Sequence, residues 1–480
     1  MKEESLLHQA SIVHLLASGI IAIVGIYEAA FKSRTSNVDE MPMCKYTTNF
    51  NHPEKCMMDK LASSIFPLLI PLSDLAIHAS SRMCDGDHDK TVKTITAKLN
   101  KIISKGFKDK LEEFSKLIQK NIPLDSLVSG DVYIPRDPDI LSKFGIPDAE
   151  NILRVSTKPQ DSGAEIVTCP VSAIQGITFL EEPKDAKGKG AKAFKACKLK
   201  DISFTEKAHL VLWFHGGGLT LGSARDDFAL TRALYLTKWQ LRHNQDKSLA
   251  PPIIFMSVEY RLAPLNPFPS AIIDGLSASS FLAERCSTYS LHVAGCSAGG
   301  NLAAVVGLES HRKYPGKFKS IVVDIPMLEP TTATESHRLN SKSSGICPVD
   351  WVRWCWSAYL QLEELNGSRK RIDFSSEASM IDALDNSIWS KFMNSKAWRL
   401  VSPACDLPDL SNDEESPTIV VMTATADPLH DAGVDFFKRV EARSKKCVHI
   451  ESKGSHVLSN IFDKPAAKRL TEEWSKLLLD

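Results

Sequence analysis

The chain has 480 residues, of which 43% are hydrophobic and 24% are charged. This is the composition of a folded globular protein, and it excludes disordered, collagen-like and disulfide-scaffold chains. The 58 basic residues balance the 58 acidic residues, so no net charge attracts polyanions and nucleic acid is not an expected partner.

An apolar segment near the N-terminus, Ile12–Tyr27, is the first predicted element. As a helix of 16 residues it would cover about 24 Å, against about 30 Å of hydrocarbon in a bilayer. We expect residues 1–31 to hold a membrane anchor; a cleaved secretory signal and a buried or interfacial helix are the alternatives. Basic residues after the segment favour a cytosolic main domain, whereas the glycosylation sequon at Asn366 favours a lumenal one, so sidedness stays open.

Residues 32–130 form a second predicted unit, a helical N-terminal or cap region. Within Thr91–Ile122 the apolar residues lie mostly three or four positions apart, which predicts an amphipathic helix over a core. The lysines between them indicate a solvated face rather than a lipid or nucleic-acid surface.

Residues 131–480 have the pattern of an α/β domain. The part from 130 to 180 predicts short β-rich pieces, and 183–195 a solvated surface loop. Apolar strands then alternate with helix-length segments, which predicts a mostly parallel sheet buried on both faces. The predicted strands are Leu210–Phe214, Ile253–Val258, Leu291–Ala294, Ile321–Ile325 and Thr418–Thr423.

The strongest single motif is Gly295-Cys296-Ser297-Ala298-Gly299, which lies between a predicted strand and a predicted helix. It has the form of a nucleophile elbow, a sharp turn that exposes a serine hydroxyl. Small residues are needed two positions before and after the serine, because the turn brings their backbones against neighbouring elements. The N-terminus of the following helix favours developing negative charge.

A second glycine-rich motif, His215-Gly216-Gly217-Gly218, directly follows the strand that ends at Phe214. The N–H groups of Gly216 and Gly217, with that of Ala298, are predicted to hold the oxyanion of a tetrahedral intermediate. A plain glycine turn is the alternative interpretation.

A serine nucleophile requires a base and an acid, and in chains with a nucleophile elbow both follow the serine. Asp427 follows the strand that ends at Thr423, and His456 lies 29 residues later after a strand-like segment at Val448–Glu451. The order serine, aspartate, histidine is the one found in α/β domains that carry a nucleophile elbow. Asp431 is the rival acid, although we interpret it as a carboxylate at the N-terminus of a helix.

These motifs resemble the hormone-sensitive lipase family of α/β-hydrolases, which includes arylacetamide deacetylase and related carboxylesterases. The resemblance runs from about residue 209 to 479 and includes Tyr260-Arg261-Leu262-Ala263-Pro264, continuing to Asn266-Pro267-Phe268-Pro269 and Asp274. It implies an α/β-hydrolase fold with a mostly parallel central sheet and a helical cap, preceded here by the N-terminal hydrophobic helix. The residues it assigns to catalysis are Ser297, Asp427 and His456, with Gly216, Gly217 and Ala298 in the oxyanion hole.

The sequence departs from the family pattern at three positions. Cys296 replaces the usual aspartate or threonine before the serine, Leu265 replaces an acidic residue, and Val457 follows the histidine. A thiol next to the nucleophile would make the site sensitive to oxidation. All three residues predicted to be catalytic remain.

The family builds its cap partly from the N-terminal region and partly from an insertion before the acid, here about residues 331–394. The insertion contains Trp351, Trp354, Trp356 and Tyr359 at roughly helical spacing. This aromatic cluster is expected to pack inside a cap helix, with direct contact to substrate as the alternative.

The expected function is that of a serine esterase or lipase acting on carboxylic esters, with no metal and no organic cofactor required. The resemblance and the anchor point to a lipophilic ester, such as an acylglycerol, an acetylated sterol or a xenobiotic, and to the endoplasmic reticulum membrane. Amide hydrolysis by the same triad and a non-catalytic ligand receptor on this fold are the alternatives. The eleven cysteines contain no Cys-x-x-Cys pair, and most, for example Cys286 and Cys405, are expected to be small buried residues.

Overall fold

The computed structural model describes residues 132–155, 165–172, 209–222, 224, 236, 253–285, 290–340, 347–362, 372–454, 456 and 464–477. The expected anchor at 12–27, the predicted helix at 91–122 and the predicted loop at 183–195 lie outside these residues. Among the helices that are described, none combines the length and the hydropathy needed to cross a bilayer.

The described part of the chain forms an eight-stranded sheet in the order β1-β2-β4-β3-β5-β6-β7-β8. The six strands from β3 to β8 are parallel, and β1 and β2 add an antiparallel edge. This confirms the predicted α/β-hydrolase sheet. The strands are β1 Val132–Pro135, β2 Glu165–Ser172, β3 His209–Phe214, β4 Ile253–Glu259, β5 Ser290–Cys296, β6 Phe318–Asp324, β7 Thr418–Ala424 and β8 Cys447–Ser452.

Helices cover both faces of the sheet. The helices described are α1 Ile140–Lys143, α2 Ala149–Val155, α3 Ser270–Arg285, α4 Ala298–Lys313, α5 Glu335–Leu339, α6 Val349–Leu360, α7 Glu377–Asp385, α8 Ser390–Met393, α9 His430–Glu441 and α10 Lys464–Leu477. Helices α5 to α8 lie between β6 and β7, within the stretch expected to form the cap insertion. Two short 3₁₀ segments, Lys396–Leu400 and Pro403–Cys405, lead from them towards β7.

The central strands β3, β5 and β7 are mainly apolar because both of their faces are covered. All six residues of β3 are buried. Phe214 lies close to Gly275 of α3, while the ring of Trp213 stacks on Trp474 of α10 at a centroid distance of 6.3 Å. Full burial of a large apolar side chain contributes about 1.5 to 3 kcal/mol. Because Trp213 and Phe214 point to opposite faces of β3, their burial stabilises the packing of α10 on one face and of α3 on the other.

Two sequence expectations need correction. Between residues 130 and 180 the chain forms β1 and β2 as predicted, but it also forms the short helices α1 and α2, which the pattern did not predict. Cys405, expected to be buried, is exposed. It lies in a short 3₁₀ segment at the surface, where the flanking apolar residues contact the core and the thiol does not have to.

Two buried histidines near the amino ends of β3 and β5 predict that the stability of the fold decreases in acid. His209 Nδ1 and His292 Nε2 are 3.0 Å apart, and His292 Nδ1 is 2.8 Å from Ser320 Oγ. Burial lowers the pKa of His209 to about 4 and holds the pKa of His292 well below its usual value. The unfolded chain therefore takes up protons below about pH 6.5 that the folded chain does not, and stability falls as the pH falls.

We expect the free energy of unfolding to decrease by about 1 kcal/mol or more per pH unit below pH 6.5. Urea unfolding at pH 7.5 and pH 5 measures this decrease. A His209→Gln/His292→Gln double variant should lose less stability across the same interval, because neither position can titrate. Equal losses in both proteins would show that these imidazoles do not set the acid sensitivity.

Candidate active site

Ser297 lies at a strained turn between β5 and α4. Its φ is 58° and its ψ is −119°, a conformation that side chains with a Cβ rarely adopt. The backbone around it is clamped, since Ser297 N–H donates to the Asp324 carbonyl at 2.8 Å and the Ser297 carbonyl accepts from Met327 N–H at 3.0 Å. The turn has the form expected of a nucleophile elbow.

The two outer glycines of the motif have no room for a side chain. A Cβ on Gly295 would lie 2.1 Å from the Gly299 carbonyl oxygen, and a Cβ on Gly299 would lie 2.1 Å from the Phe214 carbonyl oxygen. Both contacts are with backbone atoms, which cannot move away by a change of rotamer as a side chain can. The close approach of β3, β5 and the start of α4 therefore explains why the motif requires small residues at these two positions.

The hydroxyl of Ser297 lies within hydrogen-bonding distance of His456, and His456 lies next to Asp427. Ser297 Oγ is 2.9 Å from His456 Nε2, and His456 Nδ1 is 2.6 Å from Asp427 Oδ2. A carboxylate only accepts, so Nδ1 carries the imidazole proton and Nε2 is left to accept from the serine. The other carboxylate oxygen, Asp427 Oδ1, accepts from Leu429 N–H at 2.9 Å. These residues are separated by up to 159 positions in the chain.

The rival carboxylate, Asp431, has a different role. It lies in the first turn of α9, accepts from Ser336 N–H at 2.7 Å and faces the Nδ1 of His430 at 2.9 Å. These contacts tie α9 to the N-terminal turn of α5. Asp427, and not Asp431, is therefore the carboxylate bonded to His456, and the helix N-terminal interpretation of Asp431 agrees with its position.

The glycine motif after β3 lies directly over the nucleophile. A Cβ on Gly216 would lie 3.4 Å from Ser297 Cβ. Gly217 has a φ of 112°, which a residue with a side chain would adopt only under strain. No hydrogen bond among the described residues engages the N–H groups of Gly216, Gly217 or Ala298.

His215 and Tyr260 stiffen this loop from behind. The two rings stack at a centroid distance of 4.1 Å, and the Tyr260 hydroxyl donates to the His215 carbonyl at 2.7 Å. His215 Nδ1 is 2.7 Å from the Gly216 carbonyl oxygen. Burial lowers the pKa of His215 to about 4, so the ring stays neutral at physiological pH. The loop is held in shape before any ligand arrives.

The segment that follows Tyr260 anchors the same region to the edge of the sheet. Arg261 Nη2 lies 2.8 Å from the buried Asp274 Oδ1, and Arg136 Nε lies 2.5 Å from the same oxygen. The resemblance singled out Arg261 and Asp274, but it gave no sign of Arg136, which comes from the segment after β1. Its position depends on the antiparallel edge, which no local pattern specified.

Helix α6 packs against the other side of the glycine loop, which is the motif His215-Gly216-Gly217-Gly218. A Cβ on Gly218 would lie 2.3 Å from Cys355 Sγ and 3.2 Å from the edge of the Trp351 indole. Trp356 and Tyr359 are buried, with the Tyr359 ring 5.6 Å from that of Phe268. The predicted aromatic cluster thus divides, since Trp356 and Tyr359 pack internally while Trp351 and Trp354 are half-buried.

Comparison with known proteins agrees with this architecture. Residues 211–376 match a family model described as having the alpha/beta hydrolase fold. Probable carboxylesterase 6 of Arabidopsis thaliana is 33% identical over 149 residues, which cover 28% of this chain and 40% of that protein. Human arylacetamide deacetylase-like 2 is 34% identical over 141 residues, covering 27% and 32%. Human hormone-sensitive lipase is 31% identical over 157 residues, covering 31% and 13%.

The chain thus covers less than half the length of each of these relatives. The family-model match spans the glycine loop, the elbow and the parallel strands from β3 to β6. The chain therefore carries a domain with the α/β-hydrolase fold, and the relatives it is similar to include hormone-sensitive lipase and a carboxylesterase.

Proposed function

We propose that the protein is a serine hydrolase that cleaves carboxylic esters through an acyl-enzyme. The observation that carries this proposal is the buried chain of hydrogen bonds from Ser297 through His456 to Asp427. Relatives named as carboxylesterase and lipase support the same activity.

The geometry suggests one role for each group. Ser297 Oγ attacks the ester carbonyl while His456 Nε2 takes its proton, and Asp427 stabilises the imidazolium that forms. The N–H groups of Gly216, Gly217 and Ala298 receive the oxyanion. His456 returns the proton to the leaving alcohol, and then activates a water molecule that releases the acid from Ser297.

We propose a lipophilic ester as the substrate. A Cβ on Gly218 would lie 3.2 Å from the ring edge of the half-buried Trp351, so this indole lies beside the glycine loop. An indole at this place offers apolar contact to an acyl or alkyl chain rather than to a charged group. Amide hydrolysis by the same residues is chemically open to the site, but no contact among the described residues favours it over ester hydrolysis.

Turnover of p-nitrophenyl esters from acetate to palmitate tests both statements. We expect kcat/KM to rise from acetate to butanoate, because each buried methylene contributes about 1 kcal/mol. Trp351→Ala should reduce this rise while it changes acetate turnover much less. Absence of turnover with every ester would contradict the proposed activity, and an unchanged acyl-chain profile in Trp351→Ala would contradict the role of the indole.

We further propose that Ile12–Tyr27 attaches the protein to the endoplasmic reticulum membrane. The support is the length and apolar character of this segment in the sequence. Carbonate extraction of membranes from cells expressing the full chain, compared with a chain lacking residues 1–31, is the test. Release of both proteins into the soluble fraction would contradict an anchor that spans the bilayer.

A further inference from the structure

A buried thiol lies beside the acid and the base of the active site. Cys347 lies just before α6 and is 1% exposed. Its Sγ, a ring nitrogen of His456 and a carboxylate oxygen of Asp427 all lie within 4.8 Å of one another. Cys347 has no part in the ester hydrolysis described above. The thiol therefore adds a third group able to bind a metal ion beside His456 and Asp427.

Thiolate, imidazole and carboxylate are the ligands that zinc takes in proteins, at about 2.0 to 2.3 Å from the ion. Ligand atoms of one tetrahedral ion are then about 3.3 to 3.7 Å apart, so side-chain movements of about 1 Å suffice here. The charges also match, because one thiolate and one carboxylate neutralise a divalent cation. A neutral assembly lowers the cost of burying the ion.

The thiol is protonated in the ion-free protein. Burial raises the pKa of Cys347 well above its usual value, and the Asp427 carboxylate raises it further. An ion that binds Sγ therefore displaces the thiol proton to water. The imidazole can bind the ion through either ring nitrogen, with a proton on the other.

We propose that Cys347, Asp427 and His456 form a site for a soft divalent cation such as Zn²⁺, and that the bound ion inhibits the hydrolase. The inhibitory half of the proposal rests on the proposed function, whereas the binding half does not. If the ion takes Nδ1, the ring proton lies on Nε2 and faces Ser297 as a donor. If the ion takes Nε2, it occupies the lone pair that accepts the serine proton. Either way Ser297 loses its base.

The first test measures inhibition. Zn²⁺ should inhibit turnover of a p-nitrophenyl ester, and EDTA should restore it. With each protein compared with its own rate without metal, Cys347→Ser should require at least about tenfold more Zn²⁺ for half-inhibition, because one ligand is lost. Cys405→Ser, which removes an exposed thiol, is the matched control and should match the wild type. Equal sensitivity of Cys347→Ser and wild type would overturn the proposal.

The second test does not depend on turnover. Cd²⁺ added to the Ser297→Ala protein should produce the ultraviolet absorption of a cadmium–thiolate bond, with one equivalent bound per chain. The absorption should disappear in Ser297→Ala/Cys347→Ser and in Ser297→Ala/Cys347→Ala, with folding checked by circular dichroism. Persistence of the same absorption in both double variants would overturn the site, even if no ester is ever found to be hydrolysed.

Discussion

Replacement of Asp427 by Asn is expected to lower kcat for ester hydrolysis by about 10⁴-fold. The carboxylate now holds the proton on His456 Nδ1 across 2.6 Å, which leaves Nε2 free to accept from Ser297. An amide NH₂ at this position would favour the opposite tautomer, with its proton on Nε2. The volume of the side chain is unchanged, so the loss should appear in kcat with the fold retained. Steady-state kinetics with a p-nitrophenyl ester measure it.

Asp431→Asn is the matched control, since it makes the same chemical change four residues further on. That carboxylate bonds Ser336 and His430 rather than His456. We expect kcat to fall by less than about tenfold, because only a contact between α9 and α5 is weakened. A larger loss in Asp431→Asn than in Asp427→Asn would mean that the wrong carboxylate has been assigned to the base.

Replacement of Gly299 by Ala is expected to damage the site through packing alone. The new Cβ would lie 2.1 Å from the Phe214 carbonyl oxygen and 2.3 Å from that of His215, so the elbow and the glycine loop must move apart. A misplacement of about 1 Å at reacting atoms costs about 10²-fold in rate. Overpacking of this kind lowers the free energy of unfolding by about 3 kcal/mol. Turnover and urea unfolding of the same protein measure the two effects.

Gly300→Ala, one residue further along α4, tests whether the contact is responsible. A Cβ there would lie 3.0 Å from Pro326 Cβ and 3.1 Å from the Asp324 carbonyl oxygen, which requires a movement of only a few tenths of an ångström. It should retain most of the stability and turnover that Gly299→Ala loses. Similar losses in the two variants would show that helix geometry, and not contact with β3, sets the requirement for glycine.

The parallel sheet could be predicted from the sequence because its central strands are buried on both faces. A strand such as β7, with six of its seven residues buried, has to be apolar at consecutive positions, and that signal is local. The elbow and the glycine loop were predicted for a similar reason, since a turn without room for a Cβ admits few residue types. His456 and Asp427 followed from their place after a strand rather than from their immediate neighbours.

The features that were missed depend on contacts between distant segments. Arg136 reaches Asp274 across 138 positions, and nothing around Arg136 in the sequence distinguishes it from a surface arginine. Cys347 is placed beside Asp427 by the start of α6, so its position emerges only once the helices between β6 and β7 are packed. Helices α1 and α2 are too short for hydrophobic periodicity to be recognised.

Labelling with a fluorophosphonate probe tests most directly whether His456 activates Ser297. The labelled peptide is identified by mass spectrometry. The reagent reacts only with a serine whose proton a neighbouring base removes. One equivalent should attach to Ser297 in the wild type, and labelling should be lost in His456→Ala, whose serine is intact but has no base. Labelling at another residue, or at Ser297 with undiminished rate in His456→Ala, would contradict the account.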